Sequence, residues 1–157
     1  MEVNVRVTIV KEKLLAPNAQ ALIKSLNAEL AEQYPEPGAT HFALTEEEVG
    51  EGRGVFLVAS VDGRPVGCGA LRRIEAGVGE LKRMYVSPAV RGRGVGRALL
   101  EALEAEARRL GLRRVVLETG VRQREALALY GRAGFTPIPP FGECVGSPLS
   151  LCMAKDL

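Results

Sequence analysis

Met84-Tyr85-Val86-Ser87-Pro88-Ala89-Val90-Arg91-Gly92-Arg93-Gly94-Val95-Gly96-Arg97-Ala98-Leu99-Leu100 joins a strand to a helix. From Val78 to Val86 the residues read as a strand, with Leu81, Arg83 and Tyr85 expected on one side and Glu80, Lys82, Met84 and Val86 on the other. Pro88 cannot donate to a ladder and ends it. From Val95 the apolar residues Ala98, Leu99, Ala102, Leu103 and Leu110 recur at helical spacing, and Gly111 suits a left-handed stop. Between the two, Gly92, Gly94 and Gly96 remove side chains that would keep a ligand from the backbone. The first N–H groups of a helix lack internal partners and sit at its positive end. With Arg91, Arg93 and Arg97 alongside, the loop suits a phosphate or pyrophosphate.

Outward from this stretch the elements alternate. Val3, Val5, Val7 and Ile9 predict a strand over 2–10, and Ala19, Leu22, Ile23, Leu26 and Leu30 predict a helix from Pro17 to Gln33. Glu46-Glu47-Glu48 suits a short helix. Residues 55–61 form an apolar run expected to be a strand buried on both faces, and Asp62-Gly63 turns it into a strand over 65–73. After Gly111 come a strand over 113–119, a helix over 122–133, a strand from Phe135 to Ile138, a rigid Pro139-Pro140-Phe141 loop and a last strand over 149–154. The strand–helix–strand unit from 80 to 119 requires a parallel pair with a right-handed crossover.

The chain has 157 residues, 46% hydrophobic and 25% charged, which suits one domain over 1–157. Its 21 basic and 19 acidic residues give a net charge of +2, too balanced to point to nucleic acid or a membrane surface as partner. Cys68, Cys144 and Cys152 are odd in number and form no Cys-x-x-Cys pair, so thiols in a reducing cytoplasm are expected rather than a disulfide scaffold or zinc site. His41, the only histidine, cannot build a metal site alone. No signal pattern or membrane-length apolar run is evident, and a cytoplasmic location is expected.

Arg91-Gly92-Arg93-Gly94-Val95-Gly96, at the end of the strand that carries Met84-Tyr85-Val86, resembles the acyl-CoA loop of the GNAT N-acetyltransferase superfamily. A second stretch, Gln123-Arg124-Glu125-Ala126-Leu127-Ala128-Leu129-Tyr130-Gly131-Arg132-Ala133-Gly134-Phe135, is similar to that family's other hallmark, with Gln123 where asparagine is usual. The resemblance implies an α/β fold: a mixed, mostly antiparallel sheet of six or seven strands with a central parallel pair and flanking helices. It implies acetyl transfer from acetyl-CoA to a primary amine by direct attack in a ternary complex, with no metal. The amine is expected on a small molecule rather than a protein or peptide, and the family's habit of pairing leaves a homodimer open.

The resemblance also implies roles. Arg91, Gly92, Arg93, Gly94, Val95, Gly96 and Arg97 would hold the pyrophosphate, Met84, Tyr85 and Val86 the pantetheine arm through their backbone, and Gln123 the arm by its amide. Tyr130 would protonate the leaving thiolate. Glu80, on the strand before the loop, and Glu118, ending the neighbouring strand, are the two positions for a base that deprotonates the amine. Tyr34 and His41 are candidates for acceptor contact, with surface or packing roles as the plainer reading. Arg72, Arg73 and Arg83 could draw a carboxylate-bearing acceptor.

Other classes fit less well. A nicotinamide fingerprint needs Gly-x-Gly-x-x-Gly, whereas the spacing here is Gly-x-Gly-x-Gly. No Gly-x-x-x-x-Gly-Lys-Ser/Thr loop exists for phosphoryl transfer, and no Ser/His/Asp or Cys/His hydrolase signature is present. The alternative that remains is a non-catalytic acyl-CoA-binding module of the same fold.

Overall fold

A computed structural model describes residues 5–36, 44–142 and 145–157. Its elements are β1 (Thr8–Lys11), α1 (Pro17–Gln33), a 3-10 turn (Glu47–Val49), β2 (Gly54–Val61), β3 (Arg64–Glu75), β4 (Val78–Val86), a second 3-10 turn (Pro88–Val90), α2 (Val95–Arg109), β5 (Arg114–Gly120), α3 (Arg124–Arg132), β6 (Thr136–Ile138) and β7 (Ser150–Asp156). The seven strands form one sheet in the order β1-β2-β3-β4-β5-β7-β6. Only β4 and β5 are parallel; every other neighbouring pair is antiparallel.

Helices cover both faces. On one, α2 packs Leu99, Leu100 and Leu103 onto Val55, Leu57, Leu71, Leu81, Val115 and Leu117. These three leucines are essentially fully buried, each stabilising by about 1.5–3 kcal/mol. The exposed Arg97–Glu101 pair on the same helix adds only tenths of that. On the other face, Leu14, Ala19 and Leu22 pack on Phe56, Val58, Cys68 and Ala70. β2 is therefore buried on both sides, as its unbroken apolar run requires.

The feature that positions the site is a defect in this sheet. β4 and β5 pair only from Val78↔Arg114 to Leu81↔Leu117, and beyond Leu81 and Leu117 the two strands part. At the same level β4 is bulged: Tyr85 faces Cys68 and Lys82 faces Ala70, so Arg83 and Met84 together oppose Gly69. Arg83 takes a left-handed φ of 56°. The bulge overturns the expected alternation. Leu81 and Met84 both belong to the α2-side core, whereas Tyr85 has moved to the α1 side. Cys68 Sγ donates to the Arg83 carbonyl at 3.2 Å and closes the bulge.

α1 spans the gap between the parted strands. On the β4 side, Arg83 donates to Asn27 Oδ1 at 2.7 Å. On the β5 side, Arg122 donates from its backbone to the Tyr34 hydroxyl at 2.8 Å and from its guanidinium to the Gln33 carbonyl at 2.7 Å. Arg122 also lies over the Tyr34 ring at 5.1 Å. Tyr34 is thus a buried staple for the end of α1, the packing role rather than a substrate contact; His41 lies outside the described residues. Cys152 is disulfide-bonded, which corrects the expectation of thiols throughout, while Cys68 is a free thiol. Among the described residues no helix is long and apolar enough to cross a membrane.

The staple makes a direct prediction. Any side chain at Gly120 would overlap the Tyr34 ring and hydroxyl. Gly120→Ala should therefore destabilise the protein by about 1–3 kcal/mol, measured by urea unfolding. Gly63→Ala, at a turn with open space around it, should cost only the strain of its positive φ.

Candidate active site

The parted strands open a cleft of about 1490 Å³ that passes from α2 and α3 on one face of the sheet to α1 on the other. Its lining carries seven arginine or lysine residues against four glutamates, an excess of positive charge greater than that of the whole chain. Of the residues expected to hold a cofactor, Met84, Tyr85, Val86, Arg91, Gly92, Gly94, Val95, Gly96, Arg97, Gln123 and Tyr130 line this cleft. Arg93 does not; its carbonyl accepts from Val5 N–H at 3.3 Å on the other side of the loop.

The start of α2 is uncapped and free of negative charge. Gly94 occupies the N-cap with φ 90°, no side chain caps the helix, and its first turn has no acidic residue. Helices ordinarily satisfy these N–H groups with Ser, Thr, Asp or Asn. Here Ala98 is the residue whose N–H returns to Gly94 O, at 3.0 Å, so the preceding amides lack intrahelical acceptors and point their positive ends into the cleft.

Arg91 has a more committed position than its place in the motif implies. Its Nε donates to the Val86 carbonyl at 2.8 Å and its Nη2 donates to both Glu29 oxygens at 2.7 and 2.9 Å. Its guanidinium also lies 5.9 Å from the Tyr85 ring centroid. It therefore fastens α1 to the loop, which leaves the backbone amides at the start of α2 as the loop's unengaged donors toward the cleft. Glu29 was not visible in the sequence as a site residue, because its partner lies 62 residues away.

Tyr130, in α3, is buried and packs obliquely on Phe135 with ring centroids 5.8 Å apart. Burial raises its phenol above the ordinary tyrosine value, so it remains a protonated donor across the working range. Gln123 turns its carbonyl oxygen back onto the end of β5, accepting from Gly120 N–H at 2.9 Å and Thr119 Oγ1 at 3.2 Å. It caps its own turn with the oxygen and lines the cleft beside it.

The two carboxylates differ. Glu80 is buried on the α1 face and accepts from Arg72 Nε at 2.9 Å and Nη2 at 2.8 Å, while Arg72 also pairs with Glu48. Burial works against the Arg72 charge, but the hydrogen bonds to Glu80 and Glu48 outweigh it and raise the guanidinium pKa. For Glu48, burial is likewise outweighed by the Thr45 backbone N–H and by Arg72, which hold its carboxyl below the usual range. Glu118 is the first residue of β5 beyond its pairing with β4. It is half-buried, and Ser150 donates to its Oε2 at 2.7 Å. Neither carboxylate is among the cleft-lining residues.

Cys68, at the bulge, is not a nucleophile. It is fully buried, and burial pushes its thiol up to about 12, which leaves negligible thiolate at neutral pH. Among the described residues no group of three or more His, Cys, Asp or Glu is placed to hold a metal.

The family model for the acetyltransferase (GNAT) family matches residues 19–135, and the chain belongs to that family, a class of acetyl-transferring enzymes. It is 43% identical over 152 residues to a protein of Azospirillum brasilense named IAA acetyltransferase, covering 96% of this chain and 98% of that one. Among solved structures, a Klebsiella pneumoniae protein described as an acyl-CoA N-acyltransferase superposes with a TM-score of 0.82 at 35% identity, covering 98% of this chain and 99% of the other. A GNAT acetyltransferase of Elizabethkingia anophelis, solved with acetyl-CoA bound, shares the fold with a TM-score of 0.68 at 19% identity, covering 96% and 98%.

If the uncapped helix start grips an anion, Gly94→Ala should weaken acetyl-CoA binding about tenfold, because φ 90° is strained for alanine and the amides it aims would shift. Gly111→Ala, with a similar φ of 77° at the far end of α2, should lose comparable stability and keep its affinity. Isothermal titration of both variants makes the comparison.

Proposed function

We propose that this protein is an N-acetyltransferase that moves the acetyl group of acetyl-CoA to a primary amine on a small molecule, by direct attack within a ternary complex. The observation that carries the reading is the cleft: it begins at the uncapped, arginine-flanked start of α2 and passes between the parted strands to the α1 face. The α2 end suits the pyrophosphate. The unpaired edge of β4 at Met84–Val86 suits the pantetheine arm, which would add to it like a strand. The α1 end suits the acceptor. The inertness of Cys68 favours direct attack over an acyl-cysteine intermediate.

The chemistry needs a base and an acid. An ammonium acceptor loses one proton to the base, and its lone pair attacks the thioester carbonyl. A C–N bond forms, the C–S bond breaks, and the nitrogen gives its second proton to the Tyr130 phenolate that protonation of the sulfur leaves. The departing sulfur takes a proton from the Tyr130 hydroxyl, which is kept protonated by its burial. We assign the base role to Glu118, which stands at the apex of the gap with a hydroxyl donor beside it. Glu80 is engaged by Arg72, itself held by Glu48, which suits a structural anchor better. The similarity to a protein named IAA acetyltransferase places IAA in the panel of acceptors to try. The competing reading, an acyl-CoA-binding module without turnover, predicts binding and no acceptor-dependent thiol release.

The test is thiol release from acetyl-CoA across amines, amino acids, peptides and IAA, with pH–rate profiles. Wild type should show no fall in rate up to about pH 10, since the raised Tyr130 pKa puts its ionisation above that. Tyr130→Phe should lower kcat about a hundredfold. Glu118→Gln should lower kcat by a similar factor and keep its affinity for acetyl-CoA. Glu80→Gln should lose stability by weakening the Arg72 pair and keep most of its kcat. A large fall in kcat for Glu80→Gln with near-normal turnover in Glu118→Gln would reverse the assignment.

A further inference from the structure

Arg83 stands where β4 leaves β5. Leu81 is the last residue of the parallel pairing, and Met84 is the first residue of β4 to line the cleft; Arg83 itself does not line it. Its φ of 56° is a conformation that glycine takes without strain and arginine does not. Burial adds a second cost, working against the guanidinium charge and lowering its pKa. A side chain kept under both costs, beside a cleft, calls for a functional reason.

The residue is held from several directions. Its carbonyl accepts from Cys68 Sγ in β3 at 3.2 Å, and its Nη1 donates to Asn27 Oδ1 in α1 at 2.7 Å. Gly69, opposite the bulge, has Met84 Sδ and Leu103 Cδ1 where a side chain would stand. The β3 contacts fix where the bulge sits along the sheet. The bond to Asn27 leaves the sheet and anchors the bulge on a helix. We propose that Arg83 is a positioning residue, whose side chain, through Asn27, sets the edge Met84–Val86 in the form that accepts the pantetheine arm. This rests on the reading that the β4 edge takes the arm, and it assigns that property to a side chain rather than to the bulge alone. A strand edge receives an added strand only while its N–H and C=O groups keep their spacing and direction. A bulge closed at its carbonyl can still pivot about the following dihedrals, and the anchored guanidinium removes that freedom. Arg83 touches no substrate and acts through the backbone that follows it.

The test is calorimetry on the full chain with two ligands: acetyl-CoA, and 3′-phospho-ADP, the nucleotide half of the cofactor without its arm. Arg83→Gly keeps the φ free of strain and removes the anchor. Asn27→Leu leaves Arg83 in place and removes its acceptor. Each should weaken acetyl-CoA binding about tenfold and leave 3′-phospho-ADP within about twofold. Arg83→Lys, which can still donate to Asn27, should recover part of the loss, and the Arg83→Gly/Asn27→Leu double variant should bind no more weakly than Arg83→Gly. Gly63→Ala, at a turn outside the cleft, controls for lost stability and should keep both affinities. An unchanged acetyl-CoA affinity in Arg83→Gly or Asn27→Leu overturns the proposal and leaves the arm reading standing. Equal losses for the two ligands overturn it as well, because the side chain is then supporting the fold at large. A wild type that binds acetyl-CoA no better than 3′-phospho-ADP refutes the arm reading and this assignment together.

Discussion

Four residues of parallel pairing hold β4 to β5, and everything in the candidate site depends on that pairing stopping after Leu81 and Leu117. Continued pairing would fill the middle of the sheet with hydrogen bonds and leave no passage. The bulge at Arg83 turns β4 away at the same level. It also rotates the following residues by one face, so that Met84 joins the α2 core and Tyr85 faces α1. A gap in a sheet exposes backbone groups that need partners. α1 supplies support at its edges, holding Arg83 and Arg91 on one side and Arg122 on the other. α1, which lines one side of the cleft, is therefore also the strap that holds the two edges of the gap.

At the start of α2, stabilisation that a side-chain cap would supply, typically about 1 kcal/mol, is forgone, and the first amides are left without a side-chain partner. Arg91 ties this loop to the rest of the cleft. By binding Glu29 and the Val86 carbonyl together, it makes the glycine loop, the β4 edge and α1 parts of one hydrogen-bonded unit.

The motifs and the element order were legible because they are local. The glycine loop, the start of α2 at Val95, its stop at Gly111 and the span of α1 from Pro17 to Gln33 all follow from spacing and from residues with restricted backbones. What was not legible is what depends on distant partners. Nothing in Arg83 marks it for a left-handed φ, a conformation that glycine usually takes, so the alternation along β4 read as unbroken. The roles of Tyr34, Glu29 and Gln33 come from contacts with residues 62 to 89 positions away. Glu80 and Glu118 looked equivalent as carboxylates on neighbouring strands. Only the register shows that one is bound to Arg72 before the strands part and the other stands just past that point.

The central claim is that the gap beside β4 receives the arm of acetyl-CoA through the backbone. Amide hydrogen exchange of Met84, Tyr85 and Val86, with and without acetyl-CoA, tests it most directly. The account predicts marked slowing at these amides and at Gly94–Arg97, with the β2–β3 ladder unchanged. Slowing at the α2 amides alone would contradict it, because the phosphate would then be held while the arm lay elsewhere.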